Sequence, residues 1–364
     1  MGKGILTRAE CNALRGIAII GIFLHNYCHW LPGIVRENEY QFFQRNVDGL
    51  NGVLAHPDWL LPIHLLSFFG HYGVPLFLFL SAYGLVQKYE RPQPYLPGRW
   101  LPDVKDAPRF IGSHFLKLFK MMFAGYVAFV IIDTILPKGH HYDLLDIVAQ
   151  LGMFNNVLPN PDHIIWPGPY WFFGLMLQLY IVYRLLLYRR HWGWTVALMA
   201  ACTLAQLLMG PESEELNRYR YNFMGGMLPF GLGLLYGRLP KALPQSYNWL
   251  FFLVSLILIY TEGQGYFGWM LVPMFVCSAG FTLVKILPGW LMRSLEWMGG
   301  ISAALFVCHP IARRVFIGLG FHGQMTEGLL FYVIASVALA MLFKRIEGMK
   351  SFPPNSSPKG EGSR

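Results

Sequence analysis

Apolar residues are gathered along this chain into long runs, and polar residues are gathered between them. Ten runs have roughly the 20 residues that an α-helix needs to cross the hydrocarbon core of a bilayer. The pattern predicts an all-α fold, a polytopic bundle of about ten transmembrane helices in one domain over residues 1–350, followed by a disordered tail at 351–364. The predicted spans are 11–31, 63–88, 110–136, 168–188, 192–210, 222–238, 246–261, 265–286, 298–318 and 326–345.

Composition and charge agree with a protein that lies in a lipid bilayer. Hydrophobic residues make up 54% of the chain and charged residues only 13%, whereas a soluble domain carries about 25% charged residues. The net charge of +9 is dispersed between the apolar runs, so we expect no nucleic-acid partner. Most Lys and Arg residues fall on one side of the predicted spans. By the positive-inside rule this side is cytoplasmic, which predicts that both termini are cytoplasmic.

The first predicted span carries three ionisable residues, and such residues are rare inside a bilayer. Residues 14–30 read LRGIAIIGIFLHNYCHW and include Arg15, His25 and His29. Helical rise separates Arg15 from His25 by about 15 Å, which puts Arg15 at the cytoplasmic end and His25 beyond mid-membrane. A neutral imidazole in a polar pocket can take a proton near pH 7, so His25 is a candidate general base. Alternatively, Arg15 is only a topological anchor and His25 bonds a backbone carbonyl at a helix contact.

The second predicted span carries a further imidazole at a similar depth. His71 lies about 12 Å inward from the outer start of this span, and His25 lies about 9 Å inward from the outer end of its own span. We therefore expect the two rings to lie level with each other. Ser81 follows His71 on the second span and adds a polar group further in.

Polar and aromatic residues also occupy the fourth and ninth predicted spans. His309 lies near the middle of the ninth span, and Arg313 and Arg314 follow in its outer half. Arginines on the outer side run against the positive-inside trend, so they need an acidic outer-loop residue or an anionic substrate group as partner. Trp171 lies in the outer part of the fourth span. Aromatic residues there more often pack in the core or in the interfacial aromatic belt than bind a sugar. No H-E-x-x-H motif occurs, so we expect no metal site.

Basic residues cluster at the cytoplasmic start of the third predicted span. Lys117 and Lys120 lie there, close to Arg109 and level with Arg15. Cations gathered at a membrane surface suit a polyanion, and a phosphate-bearing cofactor is the obvious candidate. The alternative is that these side chains snorkel to anionic lipid head groups.

Five separated segments, taken in order, resemble the motifs of the multi-pass acyltransferases of acyltransferase family 3. The first segment has the family's arginine and, ten residues on, its histidine. The others resemble its G-V-x-L-F-F-x-L-S-G-F, R-x-x-R, W-F-L and L-G-x-x-S-Y-x-L-Y-L-x-H motifs. The segments are LRGIAIIGIFLH at 14–25, FFGHYGVPLFLFLSAYGL at 68–85, HFLKLFK at 114–120, YWFFGLMLQLY at 170–180 and LEWMGGISAALFVCHP at 295–310.

The chain departs from these motifs at several positions. Lys117 and Lys120 stand where the family has arginines. A lysine ammonium is a point charge and lacks the two parallel N–H donors of a guanidinium, so this change bears on how tightly a phosphate is held. Four further departures are Ala82 and Tyr83 in place of Gly and Phe, and Ala303 and Phe306 in place of tyrosines.

The resemblance implies an enzyme of a bacterial cytoplasmic (inner) membrane. Members move an acyl group, usually acetyl, from cytoplasmic acyl-coenzyme A to an acceptor, often a sugar hydroxyl on an exported or lipid-linked glycan. Arg15, Arg109, Lys117 and Lys120 would hold the coenzyme A phosphates on the inner side. The long outer connections at 32–62 and 137–167 would select the acceptor.

The resemblance also implies roles for the intramembrane residues. His25 would either deprotonate the acceptor hydroxyl or carry the acyl group transiently, with Arg15 and His71 in the catalytic set. The candidate substrate-binding residues are His29, Ser81, Trp171, His309 and Arg313.

A transporter or flippase is the alternative function. Such a protein would bind an anionic lipid or sugar through the same histidines and arginines without chemistry. Transporters often show paired halves and broken spans, and this sequence shows no half-repeat. Binding of coenzyme A would favour the enzyme.

Overall fold

A computed structural model describes residues 5–91, 104–241 and 244–347, and these residues form helices and connecting segments with no β-strand among them. Each of the ten predicted spans overlaps a helix, whereas the predicted tail at 351–364 lies outside the described residues. The helices are α1 (Arg8–Cys28), α2 (Gln44–Ala55), α3 (Leu61–Phe69), α4 (Gly73–Leu85), α5 (Ala107–Ile135), α6 (Leu144–Leu151), α7 (Pro161–Ile164), α8 (Trp171–Val182), α9 (Trp192–Leu204), α10 (Glu214–Tyr221), α11 (Phe223–Arg238), α12 (Gln245–Glu262), α13 (Tyr266–Trp269), α14 (Val272–Ile286), α15 (Gly289–Phe321) and α16 (Met325–Glu347).

Five helical segments of the described chain are long and apolar enough to cross a membrane. In two of them short 3₁₀ and π turns continue an α-helix, so that α3 and α4 form one segment and α8 is extended at both ends. Large apolar side chains such as Ile131, Ile257 and Ile334 are exposed on α5, α12 and α16, as expected for helices that face lipid. A helical fold with segments able to span a membrane is thus confirmed. The count of ten spans and the cytoplasmic termini stay predictions, and the words inner and outer refer to that predicted topology. The five segments are Leu61–Glu90, Ala107–Ile135, Gly168–Leu187, Gly289–Phe321 and Met325–Arg345.

Helix α1 lies inside the bundle, packed against α15 on one side and α3 and α4 on another. Its first turn is fixed by a capping box in which Thr7 and Glu10 exchange side-chain and backbone hydrogen bonds. Lys285 of α14 donates to the same Glu10 carboxylate at 2.9 Å. These contacts hold the inner end of α1, and therefore the level of Arg15, against the neighbouring helix.

Glycines let α1 approach the α3–α4 segment closely. A Cβ atom on Gly70 would lie 2.5 Å from the Gly21 carbonyl oxygen and 2.7 Å from the Cβ atom of His25. A Cβ atom on Gly21 would lie 2.8 Å from the Gly70 carbonyl oxygen. Neither contact leaves room for a methyl group, so this backbone approach requires glycine on both helices.

The long outer connections fold in part as short helices. Connection 32–62 contains α2, and connection 137–167 contains α6 and α7. Tyr40 of the first connection stacks on Tyr221 of α10 with ring centroids 3.9 Å apart, and Gln41 donates to the Glu212 carbonyl oxygen at 2.9 Å. The connections therefore form a layer on the outer end of the bundle.

Candidate functional site

Three histidines come together at the outer end of α1. The rings of His25 and His29 stack with centroids 4.5 Å apart. The ring of His71, from the turn between α3 and α4, lies 5.5 Å from that of His25. The expectation that His25 and His71 lie at similar depths is thus confirmed.

A backbone carbonyl fixes the proton on one nitrogen of His25. The Nδ1 atom lies 2.7 Å from the Ser67 carbonyl oxygen, and a carbonyl oxygen only accepts, so Nδ1 carries the hydrogen. The Nε2 atom of the neutral ring is then the nitrogen that can accept a proton. The carbonyl bond that the alternative interpretation of His25 predicts is thus present, and the role of His25 as a general base stays a prediction.

Arg313 lies beside these histidines as a buried cation. Its side chain is 6% exposed and its Nη1 donates to the Asn26 Oδ1 at 3.0 Å, while its guanidinium carbon lies 5.5 Å from the Trp30 ring centroid. No carboxylate of residues 5–91, 104–241 or 244–347 forms an ion pair with it. A buried arginine held by a neutral amide keeps its charge available to an anionic group.

The next residue has the acidic partner that the sequence left open. Arg314 pairs with Asp133 at the outer end of α5, and Asp133 also accepts from the Tyr142 hydroxyl at 2.9 Å. Arg314 therefore joins α15 to α5 and to an outer connection, whereas Arg313 faces α1.

His309 lies one helical turn below Arg313 on α15. Its Nδ1 lies 3.0 Å from the Leu305 carbonyl oxygen. Its Nε2 is buried and has no hydrogen-bond partner within the described part of the chain. A buried polar atom without a partner is uncommon, so this nitrogen is a candidate contact for a ligand.

A cavity of about 480 Å³, counting its solvent-open part, adjoins His71. Arg220 of α10 borders it, donating to the Glu39 carbonyl oxygen and to Gln206 Oε1 at 2.7 Å. Burial raises the pKa of Glu39 to about 7, while the nearby Arg220 acts in the opposite direction. The polar and aromatic residues that line the cavity include Glu39, His71, Tyr72, Trp171, Arg220 and Trp269.

Of these lining residues, His71 and Trp171 are candidates from the sequence pattern, whereas Glu39 and Arg220 are not. Arg220 did carry a usable signal, because it is an outer-side arginine that runs against the positive-inside trend in the same way as Arg313. Glu39 carried no such signal in the sequence, since an acidic residue in an outer loop is ordinary.

A second polar layer lies at the inner ends of the same helices. The Ser81 hydroxyl lies 3.0 Å from the Tyr180 hydroxyl of α8, and Arg15 is close enough to Tyr180 to interact with it electrostatically. Helix α1 runs outward from Arg15 to His25, and the neighbouring segment runs inward from His71 to Ser81. Ten residues separate the members of each pair, so the antiparallel helices align two layers about 15 Å apart.

The predicted basic cluster is only partly assembled. Lys117 interacts with Lys88, which lies in the π turn that follows α4. Lys117 also lies near His114. Arg109, Lys117 and Lys120 are all exposed, and a spacing of three helical turns places Arg109 and Lys120 on one face of α5. That face also carries the exposed Phe123, so Arg109 and Lys120 point toward lipid or solvent.

These observations define an integral membrane protein with a polar site inside its helical bundle, extending from an inner basic layer to an outer cavity. In the described chain no group of three or more His, Cys, Asp or Glu side chains is arranged to hold a metal ion. The chain belongs to acyltransferase family 3, because the family model described as an acyltransferase domain matches residues 8–345. No curated protein and no solved structure matches this chain.

Proposed function

We propose that this acyltransferase moves an acetyl group from acyl-coenzyme A to a hydroxyl of an envelope glycan or lipid-linked sugar, in the inner membrane of a bacterium. The observation that carries the proposal is the alignment of two polar layers by α1 and the α3–α4 segment. A donor bound at the level of Arg15 and an acceptor bound at the level of His25 would meet along one pair of helices.

The inner layer offers cations to the donor. Lys117, Lys88 and Arg15 lie around the cytoplasmic ends of three helices, and coenzyme A carries its negative charge on phosphates. Lys117 and Arg15 keep the role that the family motifs imply for them. Arg109 and Lys120 would contribute only from the exposed face of α5, and their contact with anionic head groups is the competing role.

His25 supplies the base for acyl transfer. Its Nε2 would take the proton of the acceptor hydroxyl as the hydroxyl oxygen attacks the thioester carbonyl. The carbon–sulfur bond then breaks, the acyl carbon keeps its new bond to oxygen, and the imidazolium returns the proton to the leaving thiolate. Arg313 lies beside His25 and would stabilise the negative charge that develops on the carbonyl oxygen.

The outer cavity suits the acceptor. Its aromatic wall with Trp171, the guanidinium of Arg220 and the carboxyl of Glu39 match the apolar faces and hydroxyls of a sugar ring. His71 borders both the cavity and the His25 ring, so an acceptor hydroxyl would pass His71 to reach the base. His29 and His309 remain candidates for positioning the substrates.

Membranes that contain the wild-type chain or His25→Gln provide the test, with the exposed His322→Gln as matched control. Radiolabelled acetyl-coenzyme A should label the glycan or lipid-linked sugar fraction with wild type and with the control. Loss of the base should lower the label at least about a hundredfold at equal expression. Equal labelling with His25→Gln would remove His25 from the mechanism, and no labelling with wild type would favour a transporter or another donor.

A further inference from the structure

Arg184 is a buried cation that neither the motifs nor the proposed mechanism uses. It lies in the π turn Tyr183–Leu187 at the inner end of α8 and is 5% exposed. Its Nε and Nη1 atoms are buried, and neither has a hydrogen-bond partner in residues 5–91, 104–241 or 244–347. Buried charged donors are normally satisfied, so this side chain is prepared for a partner that is not protein.

A neighbouring arginine at the same end of the bundle, Arg238, does have protein partners for its guanidinium group. Arg238 binds the Glu90 carboxylate at 2.8 Å and the Thr195 hydroxyl at 3.0 Å. The Tyr183 hydroxyl, next to Arg184 in sequence, also donates to Glu90, at 3.1 Å. Glu90 is therefore engaged by Arg238 and Tyr183, and no carboxylate of residues 5–91, 104–241 or 244–347 forms an ion pair with Arg184.

The surroundings of Arg184 are aromatic. Its guanidinium carbon lies 4.2 Å from the Tyr188 ring centroid and 6.0 Å from that of Phe110. The Phe110 ring lies 4.0 Å from that of His114 and 5.2 Å from that of Tyr89.

The Phe110–His114 pair connects Arg184 to the inner basic layer. Lys117 and Lys88 both lie close to His114, and the Lys88 ammonium lies 4.8 Å from the Tyr89 ring centroid. Three cations thus surround one group of rings at the end of the bundle that the topology prediction assigns to the cytoplasm.

We infer that Arg184 binds a phosphate of the donor nucleotide, together with Lys88 and Lys117. The inference rests on the proposed acyl-coenzyme A donor. A guanidinium binds phosphate oxygens through two parallel hydrogen bonds, and aromatic rings stack on a purine base. A lipid head group offers the same phosphate chemistry, but Arg184 is enclosed among rings, whereas Arg109 and Lys120 occupy the exposed face that a lipid would reach first.

The test uses the full chain in nanodiscs and isothermal titration with coenzyme A, adenosine 3′,5′-bisphosphate and pantetheine. Arg184→Gln should weaken coenzyme A and the bisphosphate by about ten- to a hundredfold and leave pantetheine unchanged. Arg184→Lys should give an intermediate loss of affinity, because it keeps the positive charge but cannot form two parallel hydrogen bonds to a phosphate. The exposed cytoplasmic-side Arg293→Gln is the matched control, and thermal unfolding verifies that each variant is folded.

The outcomes separate this inference from the proposed function. If wild type binds coenzyme A and Arg184→Gln binds it equally well, the role of Arg184 is overturned and the donor proposal stands. If wild type binds no coenzyme A, both fail. If wild type gains thermal stability from phosphatidylglycerol over phosphatidylcholine, and Arg184→Gln loses only that gain, the phosphate comes from lipid and the nucleotide site is overturned.

Discussion

At the scale of single residues, two arginines adjacent in sequence have different environments. Arg314 is neutralised by Asp133, whereas Arg313 is held by the amide of Asn26. An ion pair with good geometry fixes structure, because its charges satisfy each other. A buried cation on a neutral amide instead retains a field that can act on a substrate.

Arg313→Gln should therefore lower acetyl transfer by about a hundredfold to a thousandfold, the usual effect of removing one group that stabilises the developing oxyanion. Unfolding should change little, since the substitution removes a buried charge without stranding a carboxylate. The rate of labelling from acetyl-coenzyme A measures the first effect and thermal unfolding the second. Arg36→Gln, at an exposed outer position, is the control, and an unchanged rate for Arg313→Gln would exclude the electrostatic role.

Residues whose type is unusual for their position can be predicted from the sequence, whereas residues that are unusual only for their partners cannot. His25, His71 and Arg313 are conspicuous because ionisable residues are rare in apolar runs. Arg184 looks like an ordinary cytoplasmic anchor, and only the fold reveals that its Nε and Nη1 atoms are buried without an acceptor in the described part of the chain. The direction of Lys120 also depends on which face of α5 packs against the bundle.

At the scale of elements, the crossing of α1 with the α3–α4 segment sets the distance between the histidines. The crossing is made by Gly21 and Gly70, and a Cβ atom at Gly70 would lie 2.7 Å from the Cβ atom of His25. A side chain at this point would push the two helices apart and move the His25 ring relative to His71.

Gly70→Ala should therefore destabilise the protein by about 1–3 kcal/mol, as overpacking does, and should lower acetyl transfer. Gly84→Ala is the matched control, because it lies in α4 of the same segment and a Cβ atom there meets nothing within 4 Å. It should stabilise the helix by up to about 1 kcal/mol and leave transfer unchanged. Thermal unfolding and labelling of both variants provide the measurement, and similar behaviour of the two would contradict a critical crossing at Gly70.

The elements themselves were well predicted where a run of apolar residues has the length of a helix. All ten predicted spans overlap a helix, but α15 begins at Gly289, well before the predicted start at 298, because its inner end is less apolar. The helices within 32–62 and 137–167 escaped prediction, because short segments with mixed composition fold only through contacts with the outer ends of the long helices.

At the scale of the whole molecule, the outer layer depends on buried carboxyls. Glu37 is 3% exposed, and burial raises its pKa from an ordinary 4.5 to about 8. A carboxyl whose pKa is raised on folding favours the native state below its unfolded pKa, and this contribution is lost as pH rises through the folded value. With Glu39 raised to about 7, stability of the outer layer should decline between about pH 4.5 and pH 8.

Glu37→Gln should flatten this decline, because a neutral amide does not ionise. The midpoint of thermal unfolding, measured from pH 5 to pH 9, should fall less in this variant than in wild type. Titrations common to both proteins cancel in the difference between the two curves. Glu215→Gln, at an exposed position on α10, should follow wild type, and parallel curves for Glu37→Gln and wild type would contradict the account.

The proposed mechanism requires one site to receive an acyl donor from inside and an acceptor from outside. Membrane vesicles of known orientation test it most directly, using membrane-impermeant radiolabelled acetyl-coenzyme A added to the medium. Inverted vesicles should label their glycan or lipid-linked sugar, and the label should resist an added esterase until the vesicles are permeabilised. Intact right-side-out vesicles, and inverted vesicles with His25→Gln, should not be labelled. Labelling of intact right-side-out vesicles as strongly as inverted ones, or of neither kind, would contradict the two-sided site.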